Sequence, residues 1–260
     1  MLNDFLPDAD TVRPYVYEDE RTLSMHFDMS ATQSRMRRAD PCALDLDYTR
    51  AMMACLMLQP RPASMLMIGL GGGSLAKYWH QWLPEAEVSV VEINPHVIAM
   101  RDEFMVPPDG ERFRVVRGDG AAVLAASTRR HDVVLVDGFN YDGQPEGLCT
   151  PAFYADCRRA IGDTGVLVVN LHDEEPQCTE LTARLRAVLG EGMVFVNNES
   201  GGNRIVFGAA PALLRQAVEQ WDERWAALDE VHRRTLARCA ERVRRSLAGW
   251  SVAGEAAGGA

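Results

Sequence analysis

Three acidic residues in the middle of the chain each follow a short run that is typical of a buried strand. Glu92 ends the run 88–92, Asp119 follows 115–118, and Asp137 ends the run 132–137. The carboxyl ends of parallel strands meet at one edge of a sheet, where ligands of α/β proteins bind. A carboxylate there can accept the hydroxyl protons of a ribose, as we expect for Glu92. The sequence therefore predicts a nucleoside site.

A glycine-rich turn precedes these acids and strengthens that prediction. The apolar run 65–68 leads into four glycines, namely Gly69, Gly71, Gly72 and Gly73. Glycine lets the backbone turn tightly and approach a ligand without a Cβ clash. The helix predicted over 74–82 directs its free N–H groups at the same ligand. The alternative is that this glycine-rich turn binds no ligand. The three acids at the strand ends make that alternative less favourable.

Composition and charge exclude several broad classes. The chain has 260 residues, 47% hydrophobic content and a formal net charge of -10. That charge argues against a nucleic-acid surface, and no apolar run approaches the ~20 residues of a membrane span. The acidic first ten residues lack the basic start of a signal peptide. We therefore expect a cytoplasmic protein without membrane or nucleic-acid partners.

Cysteine and histidine show no metal-binding pattern. The six cysteines include no C-x-x-C pair, and the six histidines are scattered. We predict reduced thiols, as is typical of a cytoplasmic protein, and no metal.

The first part of the chain, residues 1–45, is predicted to form a small antiparallel β-sheet. Its runs 13–17 and 21–27 alternate between apolar and polar residues in the manner of strands. A helix is predicted over 44–58, where apolar residues recur at helical spacing before Pro60.

The rest of the chain divides into three parts. Residues 46–210 alternate between strands and helices and predict an α/β, Rossmann-like catalytic domain. A late hairpin of 193–197 and 203–208 suits a mixed seven-stranded sheet. Residues 211–248 predict a C-terminal extension of one or two helices. The small residues of 249–260 predict a disordered tail.

With these residues in place, the chain resembles the spermidine synthase family of aminopropyltransferases over residues 13–208. The segments that carry the resemblance are the N-terminal sheet with Gln33, the glycine turn 69–74, and the stretches 91–94, 118–120, 131–137 and 145–154. The glycine turn alone would fit any S-adenosylmethionine-dependent methyltransferase of the same fold, whereas the whole set is specific. The resemblance implies a methyltransferase-type Rossmann-like domain.

The resemblance also implies a donor and the residues that bind it. The donor would be decarboxylated S-adenosylmethionine, or S-adenosylmethionine itself, with methylthioadenosine as the product-like ligand and no metal. Glu92 would hold the ribose hydroxyl groups. Asp119, with Gly120 beside it, would accept a hydrogen bond from the adenine amino group.

On the acceptor side, the resemblance implies that Asp137 is the general base for a small-molecule amine. Gln33 and Tyr48 match polar residues that line the aminopropyl and amine side, and Gln33 and Asp137 are also predicted to contact the donor. The predicted substrate-binding residues are Tyr48, Asn140, Tyr141 and Asp142. In this family the N-terminal sheet assists oligomer formation, so we expect a homodimer.

Three positions depart from the family pattern. The family's glycine turn carries an aspartate that holds the amine of the decarboxylated donor, and here the turn has no acid. Asn140 stands where the active-site loop of the family has a second acid, which Asp142 would replace by swinging in. Arg50 stands where the family has glutamate. If Arg50 faces the cavity, it would favour a ligand with a carboxylate over a cationic amine. The alternative is that Arg50 lies on the protein surface and contacts no ligand.

Three functions stay open at this point. The leading hypothesis is aminopropyl transfer from decarboxylated S-adenosylmethionine to an amine, with Asp137 as general base. The second is methyl transfer from intact S-adenosylmethionine on the same scaffold, which the missing turn aspartate favours. The third is nucleoside binding without turnover, which requires Asp137 to be no more than a cap or turn residue.

Overall fold

A computed structural model describes residues 12–28, 32–173, 177–198 and 201–258, with side chains described as far as Ser251. The small N-terminal sheet has three antiparallel strands in the order β1-β2-β3, where β1 is Tyr15–Glu18, β2 is Thr22–His26 and β3 is Ser34–Arg37. The sequence predicts β1 and β2 but not β3. The β3 strand alternates serine and methionine with arginine and so lacks the β-branched and aromatic residues that mark strands.

The large sheet has seven strands, which confirms the predicted mixed sheet. In chain order they are β4 (Ser64–Ile68), β5 (Glu87–Glu92), β6 (Phe113–Arg117), β7 (Val133–Val136), β8 (Val166–His172), β9 (Met193–Asn197) and β10 (Asn203–Gly208). Their spatial order is β6-β5-β4-β7-β8-β10-β9. The first five are parallel, and β10 is antiparallel to both of its neighbours.

Helices cover both faces of the large sheet. They are α1 (Asp47–Met52), α2 (Ser74–Trp82), α3 (Pro95–Ala99), α4 (Gly120–Ala126), α5 (Pro151–Ile161) and α6 (Cys178–Leu189). The central strands are apolar on both faces and contribute to one core cluster on each side of the sheet, as parallel sheets require. The helix predicted over 44–58 is shorter, because α1 tightens into the 3-10 helix Met53–Met57.

The C-terminal extension contains four helices among the described residues, where the sequence predicts one or two. They are α7 (Pro211–Glu219), α8 (Trp221–Ala227), α9 (Glu230–Leu236) and α10 (Ala240–Gly258). The extension packs on the domain of the large sheet: Arg224 donates to the carbonyls of Met57 and Leu58, and the Tyr78 hydroxyl is 2.7 Å from His232 Nδ1. The α10 helix also continues through most of the predicted tail, whose alanines favour helix.

No helix in the described part of the chain is both long and apolar enough to cross a membrane.

Candidate active site

The strand order of the large sheet places the predicted site residues in a row. Asp119 follows β6, Glu92 ends β5, Gly69 follows β4, and Asp137 follows β7. These four strands are successive neighbours, so the residues lie along one edge in that order. All four line a cavity of about 1170 Å³. The acids that the sequence predicts to converge therefore do converge.

Glu92 is buried and is held by the backbone on both sides of it. Its Oε2 accepts from the Leu70 N–H at 2.7 Å, and its Oε1 accepts from the Asn94 N–H at 2.8 Å. The carboxylate therefore joins the end of β5 to the glycine turn. These two backbone donors fix the orientation of the carboxylate at the cavity wall.

The glycine turn has two different roles along its length. Gly69 has φ 91°, and a Cβ there would lie 2.3 Å from the Asp137 carbonyl oxygen. Gly69 and Gly71 line the cavity, whereas Gly72 and Gly73 do not. A Cβ on Gly72 would lie 2.6 Å from the Phe104 ring. The first pair thus lets the backbone approach a ligand, and the second pair lets it pack against neighbouring side chains.

Asp119 and Gly120 begin the helix α4 beside the cavity. The Asp119 carboxylate caps that helix, because its Oδ1 accepts from the Ala121 N–H at 2.8 Å. Gly120 is buried, and a Cβ there would lie 2.4 Å from Ile68 Cγ2. Both residues line the cavity. The helix cap fixes the direction of the Asp119 carboxylate at the far end of the row.

Asp137 lies at the centre of a polar network. Its Oδ1 accepts from Asn170 Nδ2 at 2.9 Å, and its Oδ2 accepts from the Tyr48 hydroxyl at 3.4 Å. The Asn170 side-chain oxygen in turn accepts from Asn203 Nδ2 at 3.0 Å. Burial raises the pKa of Asp137, and the hydrogen bonds from Asn170 and Tyr48, with the nearby His172, act in the opposite direction. A carboxyl with a raised pKa is suited to accept a proton.

Asn170, His172 and Asn203 are site residues that the sequence analysis missed. Asn170 is buried inside the apolar strand β8, and that single polar residue in an apolar run was the available signal. Asn203 reaches it only because β10 pairs with β8 in antiparallel register. His172 stacks on Phe139 with the ring centroids 4.1 Å apart. These residues form the cavity wall beyond Asp137.

The predicted residues of the acceptor side separate into two groups. Gln33, Tyr48 and Asn140 line the cavity. Tyr141 and Asp142 do not line it: both are exposed, and Tyr141 retains 50% of its accessible surface. The Asp142 N–H donates to the Asn140 side chain at 2.9 Å, which closes a tight turn. Asp142 therefore does not take the place of the missing second acid in this structure.

Arg50 lines the cavity, but its guanidinium group is already engaged. It donates to the carboxylate of Asp47 and to the carbonyls of Leu44 and Asp45. Its side chain is only 11% exposed. Arg50 is therefore neither a surface arginine nor a free cation, and its charge at the wall is balanced by Asp47.

The chain is similar to known proteins over most of its length. Residues 47–194 match the family model of the spermine/spermidine synthase domain. A polyamine aminopropyltransferase from Chromobacterium violaceum is 34% identical over 222 residues, which cover 84% of this chain and 83% of that protein.

Two solved structures share the fold. A spermidine synthase in complex with the transition-state analogue AdoDATO has a TM-score of 0.57 at 19% identity, covering 86% of this chain and 88% of that chain. Human methyltransferase-like protein 13 in complex with SAH has a TM-score of 0.58 at 21% identity, covering 69% of this chain and 92% of that chain. Both confirm the predicted Rossmann-like, methyltransferase-type fold.

The fold places the chain among Rossmann-like, methyltransferase-type α/β domains. More particularly, the chain belongs to the spermine/spermidine synthase family, since the family model matches more than half of it. This assignment confirms the resemblance drawn from the sequence motifs and the prediction of a spermidine synthase-type transferase.

Proposed function

We propose that this protein transfers an aminopropyl group from decarboxylated S-adenosylmethionine to a small-molecule amine, with Asp137 as the general base. As a member of its family, the chain is a transferase that uses an S-adenosyl donor. The observation that carries the rest of the proposal is the environment of Asp137: a carboxyl of raised pKa beside the glycine turn, oriented by Asn170 and Tyr48. Release of methylthioadenosine in the presence of an amine tests the proposal.

The residues of the donor side fit an S-adenosyl group. Glu92 is buried and held in one orientation, which suits a carboxylate that binds ribose hydroxyl groups. Gly69 has no side chain to keep the donor away from the backbone. Asp119, at the far end of the row, is in place to accept from the adenine amino group. The order of the strands supports a donor whose sulfonium end faces Asp137.

The chemistry requires little more than alignment and proton removal. The acceptor nitrogen forms a bond to the methylene carbon next to sulfur, and the carbon–sulfur bond breaks with its electron pair on sulfur. Asp137 accepts the proton that the new ammonium group must lose. Tyr48 and Asn170 hold the two carboxylate oxygens, so that the base is positioned before the acceptor binds.

Activity should fall on the acid side of its pH profile as Asp137 becomes protonated. Because burial raises the pKa of Asp137, this acid limb lies at a higher pH than an ordinary aspartate would give. Asn170→Leu removes a hydrogen bond that lowers that pKa, so the limb of kcat/KM should move to still higher pH. Both proteins are assayed with the same acceptor amine, so titration of the amine affects both pH profiles equally and does not contribute to the difference between them.

Asn197→Leu is the matched control, since Asn197 lies exposed on the edge strand β9. Its pH profile should coincide with that of the unchanged protein. An acid limb that stays in place in Asn170→Leu would show that the limb reports another group.

Donor selection is expected to be weak. The glycine turn has no acid for the donor ammonium group, and a Cβ on Gly72 would lie 2.6 Å from Phe104 and 2.7 Å from Ser34 Oγ. Packing therefore leaves no space for an acidic side chain there. The N–H groups at the start of α2 favour an anion. We expect intact S-adenosylmethionine to bind at least as well as its decarboxylated form.

Calorimetric titration of both donors and of methylthioadenosine measures this directly. Methylthioadenosine lacks the groups that distinguish the donors and supplies the reference affinity of the nucleoside end. A tenfold preference for the decarboxylated donor, about 1.4 kcal/mol, would contradict the expectation and show that another acid serves the donor ammonium.

Several expectations stay predictions. The proposed reaction involves neither a metal nor a nucleic acid, and a homodimer formed with the help of the N-terminal sheet is the expected assembly. Within the described ranges, no group of three or more histidine, cysteine, aspartate or glutamate side chains is arranged to hold a metal ion.

A further inference from the structure

The cavity has a second end, formed by α1 and by the turn 237–239 that joins α9 to α10. The α1 helix contacts α9, and the Cys239 thiol donates to the Arg50 carbonyl at 3.7 Å. Arg238, in the same turn, lies on the cavity wall. The C-terminal extension, which lies outside the segment that matches the family model, therefore contributes a side chain to the site.

This end lies beyond Asp137 as seen from the nucleoside side. The α1 helix contacts β8 and β10, whereas Glu92 and Asp119 lie at β5 and β6, on the other side of β4 and β7. Tyr48 of α1 reaches back to Asp137. An acceptor whose amine faces Asp137 and which points away from the donor therefore extends its distal group toward α1 and Arg238.

Positive charge predominates at this end. Arg35 and Arg37 both pair with Asp45, which leaves one net positive charge on the three residues. Arg50 pairs with Asp47, so these two residues add no net charge.

Arg238 differs from the other arginines of the wall. Its guanidinium group forms no ion pair or hydrogen bond with any residue in the part of the chain that the structure describes. Arg238 is exposed to solvent and lines the cavity. A cation that lines a ligand cavity without a partner attracts an anion, and it disfavours the distal ammonium group of a diamine.

We propose that the acceptor is an amine whose distal end carries a carboxylate, and that Arg238 binds this carboxylate. The proposal rests on the proposed function, since it specifies the acceptor of that reaction. An arginine matches a carboxylate in geometry as well as in charge, because it can donate two parallel hydrogen bonds.

The reaction balances with such an acceptor. The acceptor nitrogen bonds to the aminopropyl carbon next to sulfur, the carbon–sulfur bond breaks, and the proton passes to Asp137. The product is a secondary amine that carries the transferred aminopropyl arm and the original carboxylate. The donor leaves as methylthioadenosine, and no further reactant is needed.

Matched pairs of acceptors test the proposal by calorimetry on the full chain with saturating methylthioadenosine. The pairs are 3-aminopropanoate, 4-aminobutanoate and 5-aminopentanoate against the diamines of the same length. We expect the best aminocarboxylate to bind at least tenfold more tightly than its diamine. Arg238→Gln should remove most of that preference, and Arg238→Glu should reverse it.

Arg245→Gln is the control, because Arg245 lies on α10 with its side chain 71% exposed and paired with Glu241. It should leave both affinities unchanged. Equal or tighter binding of every diamine, or a preference that survives in Arg238→Gln, would overturn the proposal.

Turnover separates this inference from the function on which it rests. Release of methylthioadenosine with diamines at higher kcat/KM than with aminocarboxylates would overturn the inference and leave aminopropyl transfer intact. If no acceptor of either kind releases methylthioadenosine from the decarboxylated donor, the proposed function fails, whatever the binding preference.

Discussion

Replacing Asp137 with asparagine is expected to lower turnover by ~10²–10⁴-fold, the usual contribution of a general base, while nucleoside binding stays nearly intact. Asparagine keeps the shape of the side chain and both contacts: its oxygen can accept from Asn170, and its amide can face the Tyr48 hydroxyl, which also accepts. The change therefore removes the proton acceptor and little else. Single-turnover rates and methylthioadenosine titrations of the variant check the two parts separately.

The variant should be at least as stable as the unchanged protein at neutral pH. Because the folded pKa of Asp137 is raised, its contribution to stability is fully present below the unfolded pKa and is lost as the pH rises through the folded value. Asparagine does not ionise, so the variant does not lose this stability as the pH rises. Asp163→Asn makes the same chemical change at a carboxyl that is 88% exposed and should leave the rate unchanged. Wild-type turnover by Asp137→Asn would reduce Asp137 to a structural role.

Replacing Glu92 with glutamine should weaken nucleoside binding by ~1.5–3 kcal/mol, the range for a hydrogen bond to a charged group. The loss of the negative charge weakens the acceptor for the ribose hydroxyls. The structure adds a second effect, because each carboxylate oxygen also accepts from a backbone N–H, of Leu70 or of Asn94. A glutamine amide must place a donor against one of them, so thermal stability should fall as well.

Calorimetry with methylthioadenosine and a thermal unfolding curve measure these two effects. Glu85→Gln is the control, since Glu85 is exposed in the loop before β5. Unchanged affinity in Glu92→Gln would remove Glu92 from the nucleoside site, whatever happens to stability.

The donor half of the site could be predicted from the sequence because it depends on local sequence patterns. A strand followed by glycines and a helix fixes Gly69 and its neighbours, and each acid ends or closely follows its own predicted strand. The parallel order of those strands then requires Glu92 and Asp137 to meet at one edge. No long-range information is needed for these positions.

The acceptor half was harder to predict because it depends on contacts between residues that are distant in the sequence. Asn203 reaches Asn170 through the antiparallel pairing of β10 with β8. Arg238 reaches the cavity because a C-terminal turn packs on α1, more than 180 positions away along the chain. The sequence shows the departure at Arg50 but not that Asp47 holds its guanidinium group. Spacing alone does not predict such contacts.

The identity of the carbon–sulfur bond that breaks tests the central claim most directly. The protein is incubated with an equimolar mixture of intact and decarboxylated S-adenosylmethionine and an acceptor amine, and the nucleoside products are identified by mass spectrometry. Aminopropyl transfer predicts methylthioadenosine together with an acceptor that has gained an aminopropyl group. S-Adenosylhomocysteine or its decarboxylated analogue, together with a methylated acceptor, would contradict the account and identify the protein as a methyltransferase.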